Sequence, residues 1–155
     1  MNSPFLKAQL DRFTIKNLEL LYPQQEEGVS LIDVLDQTVT PMGVRLIKKW
    51  IVLPLKDIHA IHRRLDTVEV LVKDPTLWQN IFQALKQMGD LERLISKVAV
   101  GRVNPRELLA LKKALYQIAP IQHQLQSSAP YYYVAARQAR HGDFSDILSI
   151  FFAIF

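Results

Sequence analysis

The sequence predicts an all-α protein, an irregular bundle of about six helices with room for a short extended segment at its N-terminus. Three observations lead there. Apolar residues recur three and four apart through most of the chain, the spacing of one helix face. No run alternates with the period of two expected of a half-buried strand. Nearly every interruption of the rhythm carries a residue that caps or stops a helix.

Ser30 with Asp33 three residues on makes a capping box for the short segment "LIDVL". Thr40 is an N-cap and Pro41 a first helical residue, where its missing N–H would have no partner anyway. In the helix that follows, Val44, Ile47 and Ile51 form one stripe and Leu46, Trp50 and Leu53 another. Arg45, Lys48 and Lys49 take the remaining face, so the helix is expected to be enclosed on most sides. Pro54 ends it by pushing the preceding residue out of helical geometry.

Asp57 then caps a helix whose Ile58, Ile61, Leu65, Val68 and Val72 make its apolar stripe, and "KDP" closes it. Pro75 starts the next helix, with Trp78, Ile81, Leu85 and Met88 on one side and Gly89 as the stop. Asp90 caps a helix in which Leu91, Leu94, Ile95 and Val98 share a face, and Gly101 closes it in the left-handed conformation. Asn104 caps the last predicted helix, with Pro105 at its first position and Glu107 reaching back to the Asn104 N–H. Leu108, Leu111, Leu115 and Ile118 are expected to be its buried face.

Composition limits function. The 155 residues fit one domain, and the absence of Cys excludes disulfides, thiolate metal sites and a Cys nucleophile. The first residues lack the apolar core of a secretory signal. The longest nearly apolar run, Ile147 to Phe155, is about half a membrane span, so a cytoplasmic protein with no membrane partner is expected. The net charge of +4 is uneven: residues 41–73 and 86–113 each carry seven basic and three acidic groups, whereas 1–40 carry three and six. Two basic helical regions can face a polyanion, although interspersed acids also fit a solvated surface. Arg102, Arg106, Lys112 and Lys113 are the weak nucleic-acid candidates.

Other chemistry has little support. His59, His62 and Asp66 share part of a helix in a metal-ligand pattern, but two histidines beside an apolar stripe more often mark its boundary. Glu26 with Glu27, and Asp33 with Asp36, lie in polar or capped turns where solvation or capping accounts for them. Neither G-x-x-x-x-G-K-[ST] nor G-x-G-x-x-G occurs, and the glycines at 28, 43, 89, 101 and 142 are isolated. Trp50 and Trp78 fall on apolar stripes, and Tyr131 to Tyr133 lack an adjacent basic string for base stacking. No catalytic, cofactor-binding or metal-binding residue is assigned.

The same stretches resemble a known family. "LDRFTIKNLEL", "SLIDVLDQTVTPMGVRLIKKW", "PLKDIHAIHRRLDTVE" and "DLERLISKVAVGRVNPRELLALKKAL" are similar, in order and spacing, to the core or lever domain of the MutS family of DNA mismatch-recognition proteins. The resemblance covers about residues 9–120. Matching motif positions are Thr40, Pro41, Gly43, Trp50, Pro54, Asp57, Asp90, Gly101, Asn104 and Pro105, all read as packing and capping residues. It implies a parent protein that is a homodimeric clamp on mismatched double-stranded DNA, with a DNA-dependent ATPase using ATP and magnesium, and with MutL as downstream repair factor. This chain lacks the family's Phe-x-Glu mismatch reader and its phosphate loop. It is therefore expected to be a non-catalytic lever segment, with residues 1–128 a partial core domain and 129–155 a divergent or truncated tail. The alternative is a self-standing helical interaction module that uses, or self-associates through, the apolar tail.

Overall fold

The computed structural model describes residues 8–128. Among them are seven helices and no strand: α1 Arg12–Asn17, α2 Leu31–Leu35, α3 Pro41–Val52, α4 Ile58–Lys73, α5 Pro75–Met88, α6 Leu91–Ala99 and α7 Pro105–Ser128. The all-α reading holds. The helix added to the six read from the sequence is α1, whose N-terminal N–H groups are capped by Asp11 (Thr14 N to Oδ1, 2.6 Å). The expected extended segment at the N-terminus falls largely on residues 1–7, outside the described residues; Ala8, the first described residue, donates its N–H to the Pro54 carbonyl at 2.8 Å.

Local chemistry sets the boundaries. Thr40, Asp57 and Asp74 each accept a hydrogen bond from the N–H three residues on, at Gly43 (3.0 Å), Ala60 (2.9 Å) and Leu77 (2.9 Å). Pro41 and Pro75 occupy the first turns of α3 and α5. Between α1 and α2 the chain turns through Glu19 at φ 48°. The Glu19 and Leu20 carbonyls then accept the Leu31 and Ile32 N–H groups at 2.9 and 3.0 Å, so the loop itself satisfies the start of α2. Ser30 adds the expected box, its N–H and Oγ both donating to Asp33 Oδ2 (3.0 and 2.6 Å). Helix α7 runs on through Pro120, which removes the hydrogen bond its N–H would have made to the Tyr116 carbonyl.

The core lies along α5. Leu77, Ile81, Leu85 and Met88 are buried against Leu71 of α4, Ala114 and Ile121 of α7 and Met42 of α3, with Val39, Val70, Phe82, Leu91 and Ile118 packed around them. Three expected faces are corrected by this arrangement. On α5 the stripe begins at Leu77 (4% exposed) and not at Trp78 (37%), which stacks instead on Phe82 with ring centroids 5.1 Å apart. On α7 the buried positions are Ala114 and Ile121, while Leu108 and Leu115 are about half exposed. On α4, Thr67 and Leu71 turn inward, and of the expected stripe Ile58, Leu65 and Val72 turn outward while Ile61 and Val68 are half-buried. Helix α6 has no fully buried residue, and its Ile95 and Val98 are also open to solvent.

Energies should follow these faces. Ile81→Ala and Leu85→Ala should each destabilise by about 2 to 5 kcal/mol, and the half-exposed Leu115→Ala by less than about 1 kcal/mol. Urea unfolding of the three variants measures the order, and a larger cost at Leu115 would contradict the rotation of α7 described above.

Candidate nucleic-acid interface

Of the four basic candidates, Arg102 and Arg106 lie at the α6–α7 corner, which is closed by two local motifs, and Lys112 and Lys113 lie two turns further along α7. Gly101 sits at φ 67°. Its N–H donates to the Val98 carbonyl at 3.0 Å and the Arg102 N–H to the Lys97 carbonyl at 2.9 Å, the paired bonds of a Schellman ending. Asn104 then opens α7. Its Oδ1 accepts the Glu107 N–H at 2.9 Å, and its own N–H donates to Glu107 Oε2 at 3.1 Å. The other Glu107 oxygen pairs with Lys97. The Lys97 ammonium and the Asn104 N–H together hold the Glu107 carboxyl below the ordinary glutamate value.

Arg102, Arg106, Lys112 and Lys113 are all exposed. Among the described residues, no ion pair or hydrogen bond engages the side chains of Arg102, Arg106 or Lys113. Lys112 lies over the exposed ring of Tyr116 at 5.8 Å from its centroid. Tyr116 was not singled out from the sequence, although an aromatic four residues after a lysine is a same-face pair on a helix. Such a surface can contact phosphates by charge, which positions a duplex without reading its bases.

Three of the seven basic groups in the first region have partners within the fold. The Arg45 guanidinium donates to both Asp90 oxygens, from Nη1 (3.0 Å) and Nη2 (2.8 Å), and to Glu92 Oε2 from Nε (3.2 Å) and Nη2 (2.7 Å). Arg64 lies 3.5 Å over the Trp50 ring, and Lys73 pairs with Glu69. Asp90 has two tasks, because its Oδ1 also accepts the Arg93 N–H at 3.2 Å as N-cap of α6. Arg45, the first of these influences, holds the Asp90 carboxyl below the ordinary aspartate value. Nothing local in the sequence signals this contact, since Arg45 and Asp90 are 45 residues apart.

The remaining candidates are dispersed. His59, His62 and Asp66 are exposed on α4. Asp33 is occupied by Ser30, and Asp36 accepts the Thr38 N–H and hydroxyl at 3.0 and 2.6 Å. Glu26 and Glu27 are exposed in the α1–α2 turn. Among the described residues no helix is long and apolar enough to cross a membrane. Tyr131 to Tyr133 and the apolar run from Ile147 to Phe155 lie outside the described residues.

A family model described as MutS domain III matches residues 13–145. The chain belongs to that family. The DNA mismatch repair protein MutS of Cytophaga hutchinsonii is 60% identical over 116 residues, which is 75% of this chain and 14% of that protein. The MutS proteins of Phocaeicola vulgatus and Parabacteroides distasonis are 49% identical over 116 residues and 47% over 121, covering 13% and 14% of their lengths. The chain thus spans about one-seventh of the length of the curated relatives it matches.

Within this MutS domain III segment the corner residues have measurable weights. Asn104→Ala should cost about 1 kcal/mol by removing a cap. The Arg45–Asp90 pair, with half of the Arg45 side chain exposed, should give a coupling of only about 0.5 to 1 kcal/mol in a double-mutant cycle.

The same pair makes stability depend on pH in a defined direction. A folded-state value lowered for Asp90 means that the unfolded chain binds more protons, so this contribution is present above about pH 4 and fades as pH falls below it. Asp90→Asn keeps a good N-cap but removes the charge. Thermal melts between pH 3 and pH 6 should therefore show a flatter acid limb for the variant than for the parent chain, and identical limbs would remove the pair from the acid response.

Proposed function

We propose that this MutS domain III segment is a non-catalytic lever, a rigid helical piece that transmits movement between DNA-contacting and ATP-hydrolysing parts of a mismatch-repair protein. The observation that carries this reading is the unbroken chain of stiff junctions from Thr40 to Glu107. Each helix is capped by a side chain at its start, and α3 is tied to the start of α6 by the Arg45 fork. A lever needs short, stiff joints, because a flexible one absorbs displacement. The commitment of Asp57, Asp74, Asp90 and Glu107 to helix starts and of Arg45 to an ion pair supports a role in holding.

The rest of the reading comes from the relatives, whose name is DNA mismatch repair protein MutS. The whole protein would then be a cytoplasmic homodimer that binds mismatched double-stranded DNA, hydrolyses ATP with magnesium in another domain and engages MutL. The basic α6–α7 corner adds, at most, contact with the phosphate backbone.

Two experiments bear on this. Insertion of two glycines after Leu55, at the α3–α4 joint, in a full-length MutS relative should leave ATP hydrolysis intact while abolishing the effect of ATP on mismatch release. Preserved coupling would defeat the lever. The 155-residue chain alone should hydrolyse no ATP and bind matched and mismatched duplexes equally and weakly, with binding lost between about 50 and 200 mM salt. A salt-resistant preference for the mismatch would show base or shape readout within this segment.

A further inference from the structure

Helix α6 is fastened differently from the helices around it. It has nine residues and no fully buried one: Leu91 packs on the core, Leu94 is half-buried, and Ile95 and Val98 face solvent. Two charged contacts clasp it to its neighbours. At its start the Arg45 guanidinium reaches from α3 to Asp90 and Glu92, and near its end Lys97 pairs with Glu107 of α7.

The links at its two ends are short. Gly89 joins α5 to α6 at φ 67° and ψ −153°, a backbone region that glycine alone enters readily. No atom beyond the adjoining residues lies within 4 Å of where a Gly89 Cβ would stand, so space is open around this joint. At the other end only Arg102 and Val103 separate the closed turn at Gly101 from the Asn104 cap of α7.

We propose that α6 is a releasable arm: it leaves the core as one unit, turning on Gly89 and on the Arg102–Val103 link, when its two charged clasps break, while the core of α4, α5 and α7 stays folded. Release forfeits little apolar burial, the partial cover of Leu91 and Leu94, whereas opening α5 exposes Leu77, Ile81, Leu85 and Met88. The clasps differ in their contact with water. The Arg45 and Glu92 side chains are 49% and 65% exposed, those of Lys97 and Glu107 32% and 22%. Salt screens exposed pairs more than partly buried ones, so the Arg45 fork is the first to yield as ionic strength rises. Its state decides whether α3 and α6 move together. The inference stands on contacts within this chain and does not depend on the lever reading.

Amide exchange of the native 155-residue chain, followed through a series of low urea concentrations, tests the arm. The amides of residues 94–100 should share one opening reaction, faster than that of residues 81–88 and with less than about half its urea slope, because a smaller surface is exposed. Exchange of both groups through a single global opening overturns the proposal, and so do unrelated openings of the individual α6 amides.

The clasp is tested by substitution and by salt. Arg45→Met should speed the shared α6 opening by about threefold, Arg45→Lys by less, and Lys73→Met, which removes the Lys73–Glu69 pair of α4, should leave it unchanged. Glu92→Gln loosens the fork from the α6 side and should act in the same direction as Arg45→Met, which separates the fork from any disturbance of α3. Raising sodium chloride from about 50 mM to about 1 M should speed the α6 opening of the parent chain and have no such effect in Arg45→Met/Lys97→Met. An α6 opening indifferent to Arg45→Met and Glu92→Gln, or to salt in the parent chain, would show that the charged contacts do not hold the arm.

Discussion

Along one face of α5, Leu77, Ile81, Leu85 and Met88 are withdrawn from water between α4 and α7, and each such side chain stabilises by about 1.5 to 3 kcal/mol on burial. Their sum far exceeds any single polar contact in the molecule. The positions of the other helices follow from it. Helix α7 is placed by Ala114 and Ile121 meeting this face, α4 by Leu71 and α3 by Met42, and α6 rides on α7 without a buried residue of its own. A helix with so little burial is held by its ends, which gives the caps and the Arg45 fork a positional importance beyond their small energies.

Asp90 shows how two weak devices become one joint. As an N-cap it fixes where α6 begins, and as the partner of Arg45 it fixes where that beginning lies relative to α3. Glu92, in the first turn of the helix, engages the same guanidinium and favours the positive end of the helix dipole as well. Planar, five-donor geometry lets one arginine satisfy both carboxylates, which a lysine could not do. The result is positional precision at an exposed site, where charge pairing contributes little to overall stability.

The same arrangement redistributes the charge of the segment. In residues 41–73, Arg45, Arg64 and Lys73 are committed to internal partners. In the second region Arg102 and Arg106 are presented outward at a corner whose backbone is fixed by Gly101 and Asn104, and Lys112 and Lys113 further along α7. A basic count taken from sequence overstates the charge offered to a polyanion, because it cannot separate groups that bind the protein from groups that face solvent.

Six of the seven described helices and most of their starts were legible in the sequence because capping is local: Thr40, Asp57, Asp90 and Asn104 each act on an N–H three residues away, and Gly101 on its own φ, whereas α1 and the Asp74 cap were not read. Family membership was legible too, since four motifs in order span most of the described chain. Which face each helix buries was not. Trp78 and Leu77, Leu115 and Ala114, Leu65 and Leu71 offer alternative apolar stripes on a single helix, and periodicity ranks none above the other. Only the neighbouring helix chooses, through the rotation that lets Ile81, Leu85, Ala114 and Ile121 close on one another. The Arg45–Asp90–Glu92 contact belongs to the same class: its partners are 45 and 47 residues apart, and proximity across that distance exists only after the core has set the relative placement of α3 and α6.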